Sequence, residues 1–117
     1  MDSKIEKEEI LKLLEEIKEK NKLVIAEGIK DKRALAKLGI TNVITLSKKP
    51  LFAVVEEAAS KTKEVVLLVD LDEEGRKIYH SLSVDLQKHR VKIDNKLREC
   101  LFKTSLRQIE GLARYVS

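Results

Sequence analysis

The stretch Glu64–Gly75, EVVLLVDLDEEG, decides the fold, because an apolar run passes directly into a cluster of carboxylates. Five consecutive apolar residues, Val65–Val69, predict a strand that is buried on both faces, as the strands of parallel sheets are. Asp70 follows at once, and three further acidic residues lie within the next four positions. The end of this strand is therefore the first place to look for a function.

Segments on both sides of this strand predict an alternation of strands and helices. Leu23–Ala26 is another short apolar run and Asn42–Leu46 is rich in β-branched residues, so both predict strands. Arg90–Asp94 alternates between polar and apolar residues, which predicts an edge strand. Helices are predicted over residues 30–38 and 75–89, with another that begins at Pro50. This order predicts an α/β fold: a mostly parallel four-stranded sheet, order 2-1-3-4, sandwiched by helices.

A length of 117 residues fits one domain with a sizeable core. We expect a core over residues 23–94, an N-terminal helix over residues 3–20 and basic C-terminal helices over residues 95–116. Ser3 and Glu6 have the spacing of a capping box at the start of the first helix. Ser105 and Gln108 have the same spacing, which predicts a break between the C-terminal helices near Thr104.

Composition excludes several classes of protein. Apolar residues make up 43% of the chain and charged residues 38%, as in ordinary globular domains. The single cysteine, Cys100, excludes an internal disulfide and a zinc site of several thiolates. The longest apolar run is far shorter than the roughly 20 residues of a membrane-spanning helix, and the charged N-terminus does not look like a signal peptide. We therefore expect a cytoplasmic protein.

Positive charge is concentrated near the C-terminus. Eight basic and three acidic residues lie between Lys88 and Ser117, although the whole chain carries a net charge of only +4. A solvated helix face is the more common explanation of such a run, and contact with a nucleic-acid backbone is the other. With two Phe, two Tyr and no Trp, the chain has few side chains for stacking on bases, which argues against sequence-specific recognition of single strands.

Acidic residues follow two strands that the predicted order places side by side. Glu27 and Gly28 follow the first strand, and Asp70 and Asp72 follow the third. The carboxyl ends of parallel strands lie on one edge, where ligands bind at the point at which strand order reverses. Two carboxylates about 4 Å apart repel by about 4 kcal/mol at an effective dielectric constant near 20. A hard divalent cation offsets this repulsion, so we predict a Mg²⁺ (or Mn²⁺) site of Asp70, Asp72 and Glu27.

Asp72 also has a purely structural explanation. It has the position of an N-cap for a helix that begins near Glu73, and Glu73 and Glu74 would then lie at the positive end of that helix. Capping explains neither Asp70 nor Glu27, so we favour the metal site. A contact between the metal and Glu73 or Glu74 is left open.

Residues around these acids could hold a phosphate. Gly28 and Gly75 would leave the backbone bare, so that a phosphate chain can approach. Exposed basic residues near both glycines could hold phosphate oxygens, or could equally be solvated charge. They are Lys30, Lys32, Arg33, Arg76 and Lys77. Asp31 is better explained as a helix-start residue than as a ligand.

Two motifs carry a resemblance to a known family. VIAEGIKDKRAL (Val24–Leu35) has a glutamate and a glycine after the first strand, and VVLLVDLDEEG (Val65–Gly75) has D-x-D-x-x-G after the third. Together they resemble the Toprim domain of topoisomerases, bacterial-type primases and certain nucleases. The chain is most similar to small stand-alone Toprim proteins, which are similar to the catalytic half of the 5S ribosomal RNA maturase M5. The resemblance implies that Glu27 is a general acid or base, and that Asp70 and Asp72 bind Mg²⁺.

Two functions follow from this resemblance. The first is a metal-dependent phosphodiester-transfer enzyme, a nuclease that acts on structured RNA or on DNA. The alternative is a non-catalytic Toprim module that binds nucleic acid or assembles with a protein partner. The sequence leaves the oligomeric state open.

Overall fold

A computed structural model describes residues 3–117, and helices and strands alternate along them. The strands are β1 (Leu23–Ala26), β2 (Val43–Thr45), β3 (Glu64–Leu68) and β4 (Lys92–Asp94). The helices are α1 (Ser3–Glu19), α2 (Ile29–Lys37), α3 (Leu51–Lys61), α4 (Glu73–Lys88), α5 (Lys96–Phe102) and α6 (Leu112–Val116). A single 3-10 turn, Ile109–Gly111, precedes α6.

The four strands form one parallel sheet in the order β2-β1-β3-β4. Ala26 pairs with Thr45 on one side and with Leu68 on the other, so β1 and β3 end at the same level. The predicted α/β fold and its strand order are thus confirmed. We call the edge at which the strands end the carboxyl edge.

Helices cover both faces of the sheet because the two central strands are apolar and buried along their length, except at Glu64, the exposed first residue of β3. Val24 and Ala26 face a core that α1, α2, α5 and α6 complete, whereas Leu23 and Ile25 face a core completed by α3 and α4. All four residues of β1 are buried. Between Ser3 and Ser117, no helix combines the length and the apolar character needed to cross a membrane.

The C-terminal region departs from the helices expected over residues 95–116. Helix α5 ends at Phe102, and residues 103–108 are not helical. The Thr104 hydroxyl donates to the carbonyl of Leu101 and accepts from the N–H of Leu106, and so replaces helical bonds. The Leu71 N–H donates to the carbonyl of Arg107 at 2.8 Å, a bond that ties this segment to the carboxyl edge.

The two predicted capping boxes have different outcomes. Ser3 begins α1, but its side chain lies outside the described side chains. The box of Ser105 and Gln108 is wrong, because Gln108 itself precedes the 3-10 turn and makes no capping bond with its side chain.

Candidate active site

The ends of β1 and β3 are joined at the carboxyl edge by one hydrogen bond. Glu27 follows the last residue of β1, and its Oε2 accepts from the main-chain N–H of Asp70 at 2.7 Å. The pairing of β1 with β3 places these two residues side by side, as the strand order predicts. The carboxyl group of Glu27 therefore lies directly against the segment that carries Asp70.

Asp70 is held at two further points. Its Oδ1 accepts from the N–H of Ile109 at 2.9 Å, so the C-terminal segment orients the carboxylate. Its main-chain carbonyl accepts from Nη2 of Arg98 at 3.0 Å. Three separate parts of the chain, around Glu27, Arg98 and Ile109, thus fix the position of Asp70.

Arg98 is one of the eight basic residues between Lys88 and Ser117, for which a solvated helix face or a contact with nucleic acid was expected, and it is buried instead. It is only 6% exposed, and its Nε also donates to the carbonyl of Val69 at 3.2 Å. Its guanidinium lies 4.2 Å from the centroid of the Tyr79 ring and 4.9 Å from that of Phe102. Its role is to hold the end of the buried strand, and a nucleic acid cannot reach it.

Asp72 is the N-cap of α4, as predicted by the alternative explanation that gives this residue a purely structural role. Its Oδ1 accepts from the N–H of Gly75 at 2.8 Å. Its charge is nevertheless close enough to raise the pKa values of Asp70 and Glu27. Capping engages one carboxylate oxygen of Asp72 and leaves the other for a ligand.

The expected role of Gly75 in leaving space for a phosphate is wrong. Gly75 is buried, and a Cβ built at this position would lie 2.0 Å from the carbonyl oxygen of Asp70. The glycine therefore allows α4 to approach the end of β3. Gly28 differs, because a Cβ there would meet only Ser47 Oγ, at 3.6 Å.

Burial and mutual repulsion perturb the acids of this edge. Burial raises the pKa of Glu27, and the charges of nearby aspartates raise it further. Burial likewise raises the pKa of Asp70, and the charges of Asp72 and Glu110 add to the effect. Asp31 is only 7% exposed, and burial raises its pKa. The N–H of Gly28 donates to its carboxylate at 3.0 Å, and this hydrogen bond lowers the pKa by less than burial raises it. The hydrogen bonds from backbone N–H groups therefore do not fully compensate these carboxylates for burial and mutual repulsion.

An open cleft of about 400 Å³ is lined by Glu27 and Asp70 but not by Asp72, which lines a neighbouring pocket. Among the residues expected to hold phosphate, Gly28 and Lys30 line the cleft. Lys32 and Arg33 are exposed on α2 without lining the cleft, and the guanidinium of Arg76 lies 5.3 Å from the Phe102 centroid.

Glu27 and Asp70 in this cleft, with Asp72 in the neighbouring pocket, form a donor set that fits a hard divalent cation. Glu27, Asp70 and Asp72 each use one oxygen for a backbone N–H and keep the other. Mg²⁺ characteristically takes only one or two protein carboxylates and keeps several waters. Within residues 3–117 no three His, Cys, Asp or Glu side chains are grouped closely enough to hold an ion among themselves. The chemistry therefore fits an ion that shares its coordination with water and substrate.

Sequence patterns did not indicate three contributions to this site, those of Gln108, Ile109 and Glu110. Glu110 and Gln108 line the cleft, and the N–H of Ile109 binds Asp70, although they lie 38 to 40 residues beyond that aspartate. Asp31 was identified as a helix-start residue, and the N–H of Gly28 confirms this. The spacing of three residues between Gly28 and Asp31 indicates this role in the sequence. No sequence pattern indicates that Asp31 is buried beside the other acids.

The fold and the site define a class: a parallel α/β protein with clustered carboxylates at the carboxyl edge. A family model for the Toprim domain matches residues 22–96, which is more than half of the chain. The chain therefore belongs to the Toprim domain family, and the predicted resemblance to the Toprim domain is confirmed, whereas the finer similarity to the M5 maturase stays a prediction. Membership implies a metal-dependent function connected with nucleic acids.

Relatives of similar size extend this result. A UPF0292 protein of Methanocaldococcus jannaschii is 32% identical, with 94% of this chain and 91% of that protein covered. A UPF0292 protein of Pyrococcus abyssi is 34% identical over 86% of this chain and 76% of its own length.

Two solved structures are similar. A putative protein from Aquifex aeolicus superposes with a TM-score of 0.81 at 34% identity, over 89% of this chain and 95% of that one. The Aquifex aeolicus primase, solved as its zinc-binding and RNA polymerase domains, gives 0.56 at 25% identity. That match covers 88% of this chain and 27% of the primase chain.

Proposed function

We propose that this chain is a Mg²⁺- or Mn²⁺-dependent phosphodiester-transfer enzyme, a nuclease that acts on structured RNA or on DNA. One observation carries the proposal: Glu27, a half-buried acid with a raised pKa, lies against Asp70 in an open cleft. Acids in clefts whose pKa values are shifted by burial and by neighbouring charges are candidates for catalytic groups.

Glu27 is the general acid or base of the proposed reaction. Its Oε2 accepts from Asp70, so Oε1 is the oxygen that takes or gives the proton. Burial and the neighbouring negative charges raise the pKa of Glu27, which brings it closer to neutral pH. The hydrogen bond from Asp70 fixes the direction from which Glu27 approaches the phosphate.

Asp70 and Asp72 would hold the metal ion, and Glu27 would lie beside it. When bound, the ion would polarise the scissile phosphate and stabilise charge on the leaving oxygen. Asp70 contributes a carboxylate that Ile109 has already oriented. Lys30 and the bare backbone of Gly28 at the cleft wall could hold a phosphate oxygen.

Structured RNA is the first substrate to test, a choice that rests only on the resemblance to the M5 maturase inferred from the sequence motifs. The similarity to a primase structure supports a nucleic-acid substrate in general and leaves DNA equally open. A protein partner that helps select the substrate is compatible with so small a domain.

One observation favours the alternative, a non-catalytic module. Each of the three acids already has a structural partner, the N–H of Asp70, Ile109 or Gly75. Three acids held in this way could stabilise the fold without taking part in a reaction. A module would bind nucleic acid with or without Mg²⁺ and would not cut it.

The test is a cleavage assay on pooled structured RNA and on single- and double-stranded DNA, with Mg²⁺ or Mn²⁺. We expect Glu27→Gln and Asp70→Asn to lose cleavage. Both amides can still accept the hydrogen bond that the carboxylate accepts, so each variant removes charge and keeps the fold. Glu64→Gln is the matched control, because Glu64 is an exposed acid at the opposite end of β3.

Three outcomes are informative. Metal-dependent cleavage that both site variants lose, and Glu64→Gln keeps, would support the enzyme and identify the polymer. Full activity in folded Asp70→Asn would refute the assigned site. Metal-independent binding without cleavage by any variant would support the module.

A further inference from the structure

An aromatic side chain is exposed beside the cleft. Of the four aromatic residues in the chain, Tyr79, Phe102 and Tyr115 are partly buried and only Phe52 is exposed, at 61%. An exposed phenyl ring keeps about the same apolar area in water after folding as before it, so it contributes little to stability. A function at the surface is a better explanation of its position.

Phe52 lies at the carboxyl edge. It is the second residue of α3, and this helix begins where β2 has ended. Side chains of a helix tilt toward its N-terminus, so the ring is directed toward that edge. It lies five positions after Ser47, which lines the cleft, so the distance between their Cα atoms is at most about 17 Å even for an extended chain.

Two further exposed residues lie at the carboxyl edge. Ile29, the first residue of α2, is 53% exposed and lines the cleft. Lys30 follows it, is exposed and also lines the cleft. We call Ile29, Lys30, Lys48 and Phe52 the Phe52 rim. The rim combines apolar surface with positive charge, which suits a partner that has both flat apolar groups and negative charge.

Lys48 has an unusual backbone. Its φ is 57°, in the left-handed region, and the N–H of Lys49 closes a turn onto the carbonyl of Leu46. The third position of such a turn favours glycine or asparagine, because a Cβ is sterically disfavoured there. Residues held in such conformations cluster at functional sites. Asn21 and Arg90 have the same conformation, so Lys48 is distinguished by its place directly after Ser47, which lines the cleft.

We propose that unpaired nucleotides of a nucleic acid lie across the Phe52 rim, with one base stacked on Phe52 and a phosphate on Lys48. This inference rests on the proposed function for the role of the adjoining cleft. Stacking on a single ring tolerates any base, so the surface selects unpaired strands without reading their sequence. The substrate would then be a structured nucleic acid that carries a single-stranded segment beside the bond to be cut.

Binding to the rim can be measured without cleavage. The chain contains no tryptophan, so Phe52→Trp introduces a single indole at the rim. We expect short single-stranded RNA or DNA, titrated in EDTA, to quench the emission of this indole to saturation. A duplex of the same length, whose bases are already stacked, should quench it much less.

Affinity measured by fluorescence anisotropy gives a second readout. Phe52→Ala should weaken binding of single strands roughly 5- to 100-fold. Lys48→Asn retains a residue that tolerates the left-handed turn, and should lower the slope of log affinity against log salt by about 0.7. Arg90→Asn removes the same charge from the same kind of backbone, with φ 61°, at the opposite edge, and should change neither quantity. Leu11→Ala, at an exposed apolar residue of α1, is the control for Phe52→Ala.

The results separate this inference from the proposed function. Quenching by single strands with no cleavage under any condition would support the rim and refute the nuclease. Cleavage with equal binding by wild type, Phe52→Ala and Lys48→Asn would refute the rim alone. A dimer that Phe52→Ala dissociates, with unchanged affinity for nucleic acid, would also overturn the proposal and assign the rim to a second copy of the chain.

Discussion

The main-chain N–H of Asp70 donates to Oε2 of Glu27 at 2.7 Å, so one carboxylate is part of the fold and part of the candidate chemistry. This bond crosses from the end of β1 to the end of β3, where each strand leaves the sheet. A change at Glu27 can therefore act through structure, through charge, or through both. Variants that separate these effects are the most informative.

Glu27→Ala should destabilise the protein, whereas Glu27→Gln should not. The alanine leaves the N–H of Asp70 without its acceptor, which costs about 1–3 kcal/mol in the free energy of unfolding. The glutamine retains an acceptor oxygen and removes a charge that burial disfavours. Urea unfolding measures the difference. If both variants lose the same stability, the hydrogen bond does not contribute as the structure indicates.

Mg²⁺ or Mn²⁺ should stabilise the folded protein. An ion at 100 times its Kd that binds only the folded state adds about 2.7 kcal/mol to the free energy of unfolding. Removal of the ion with EDTA should lower Tm correspondingly in wild type and in Glu64→Gln. Asp70→Asn should show little change between metal and EDTA, as followed by thermal unfolding.

A different result would locate the ion elsewhere. If Asp70→Asn gained as much stability from metal as wild type, the ion would not bind at the carboxyl edge. The stability of Asp70→Asn in EDTA serves as its own reference, because the asparagine keeps an acceptor for Ile109.

Gly75→Ala should be severely destabilising. The new Cβ would lie 2.0 Å from the carbonyl oxygen of Asp70, a backbone atom that cannot rotate away. Helix α4 must then shift from the end of β3, at a cost of about 1–3 kcal/mol or more. Chemical denaturation measures this loss, and cleavage should fall with it because Asp70 moves.

Gly28→Ala is the matched control for that variant. Its φ of −148° is available to any residue, and its added Cβ would meet only Ser47 Oγ at an ordinary 3.6 Å. We expect a change in the free energy of unfolding within about 0.5 kcal/mol. Equal losses in the two variants would contradict the close approach of α4 to Asp70.

The sequence predicted the scaffold of the site and missed the contacts made across it. Periodicity and the two acidic strand ends predicted the sheet order, because each depends on residues close together in the chain. The contacts of Asp70 with Arg98 and Ile109 join residues 28 and 39 positions apart. No local pattern contains such pairs.

Glycine illustrates the same limit. Gly28 and Gly75 both stand beside acids in the sequence, and both were expected to make room for a phosphate. Only the packing of α4 on β3 shows that Gly75 has a different purpose. A glycine in the sequence shows that a position lacks a side chain. Only the structure shows which neighbouring atoms would clash with one.

Arg98→Met should destabilise the protein because the carbonyls of Val69 and Asp70 lose their donors. Hydrogen bonds from a charged group contribute about 1.5–3 kcal/mol each, so we expect a loss of at least that size in urea unfolding. Arg98→Lys retains the charge but not the planar guanidinium that reaches both carbonyls. Its free energy of unfolding should lie between those of wild type and Arg98→Met. Arg33→Met, at an exposed position of α2, should stay within about 0.5 kcal/mol of wild type.

The ion pair of Lys22 and Asp94 should make stability depend on pH. Nζ of Lys22 lies 2.8 Å from Oδ2 of Asp94, and the two side chains are only 14% and 8% exposed. Burial alone would raise the pKa of Asp94, but the hydrogen bonds from Lys22 and from the Lys96 N–H outweigh it and lower that pKa. The hydrogen bond to Asp94 raises the pKa of Lys22.

The sign of the effect follows from these two directions. An acid whose pKa is lowered by folding contributes stability above its unfolded pKa of about 3.9, and loses it as the pH falls through the folded value. Asp94→Asn should therefore cost about 1–3 kcal/mol at pH 7, and its difference from wild type should vanish near pH 2. Glu57→Gln, in the exposed pair with Lys61, should cost less than about 1 kcal/mol at any pH. Urea unfolding between pH 2 and 7 measures both, and a constant difference for Asp94→Asn would show that charge is not what Lys22 recognises.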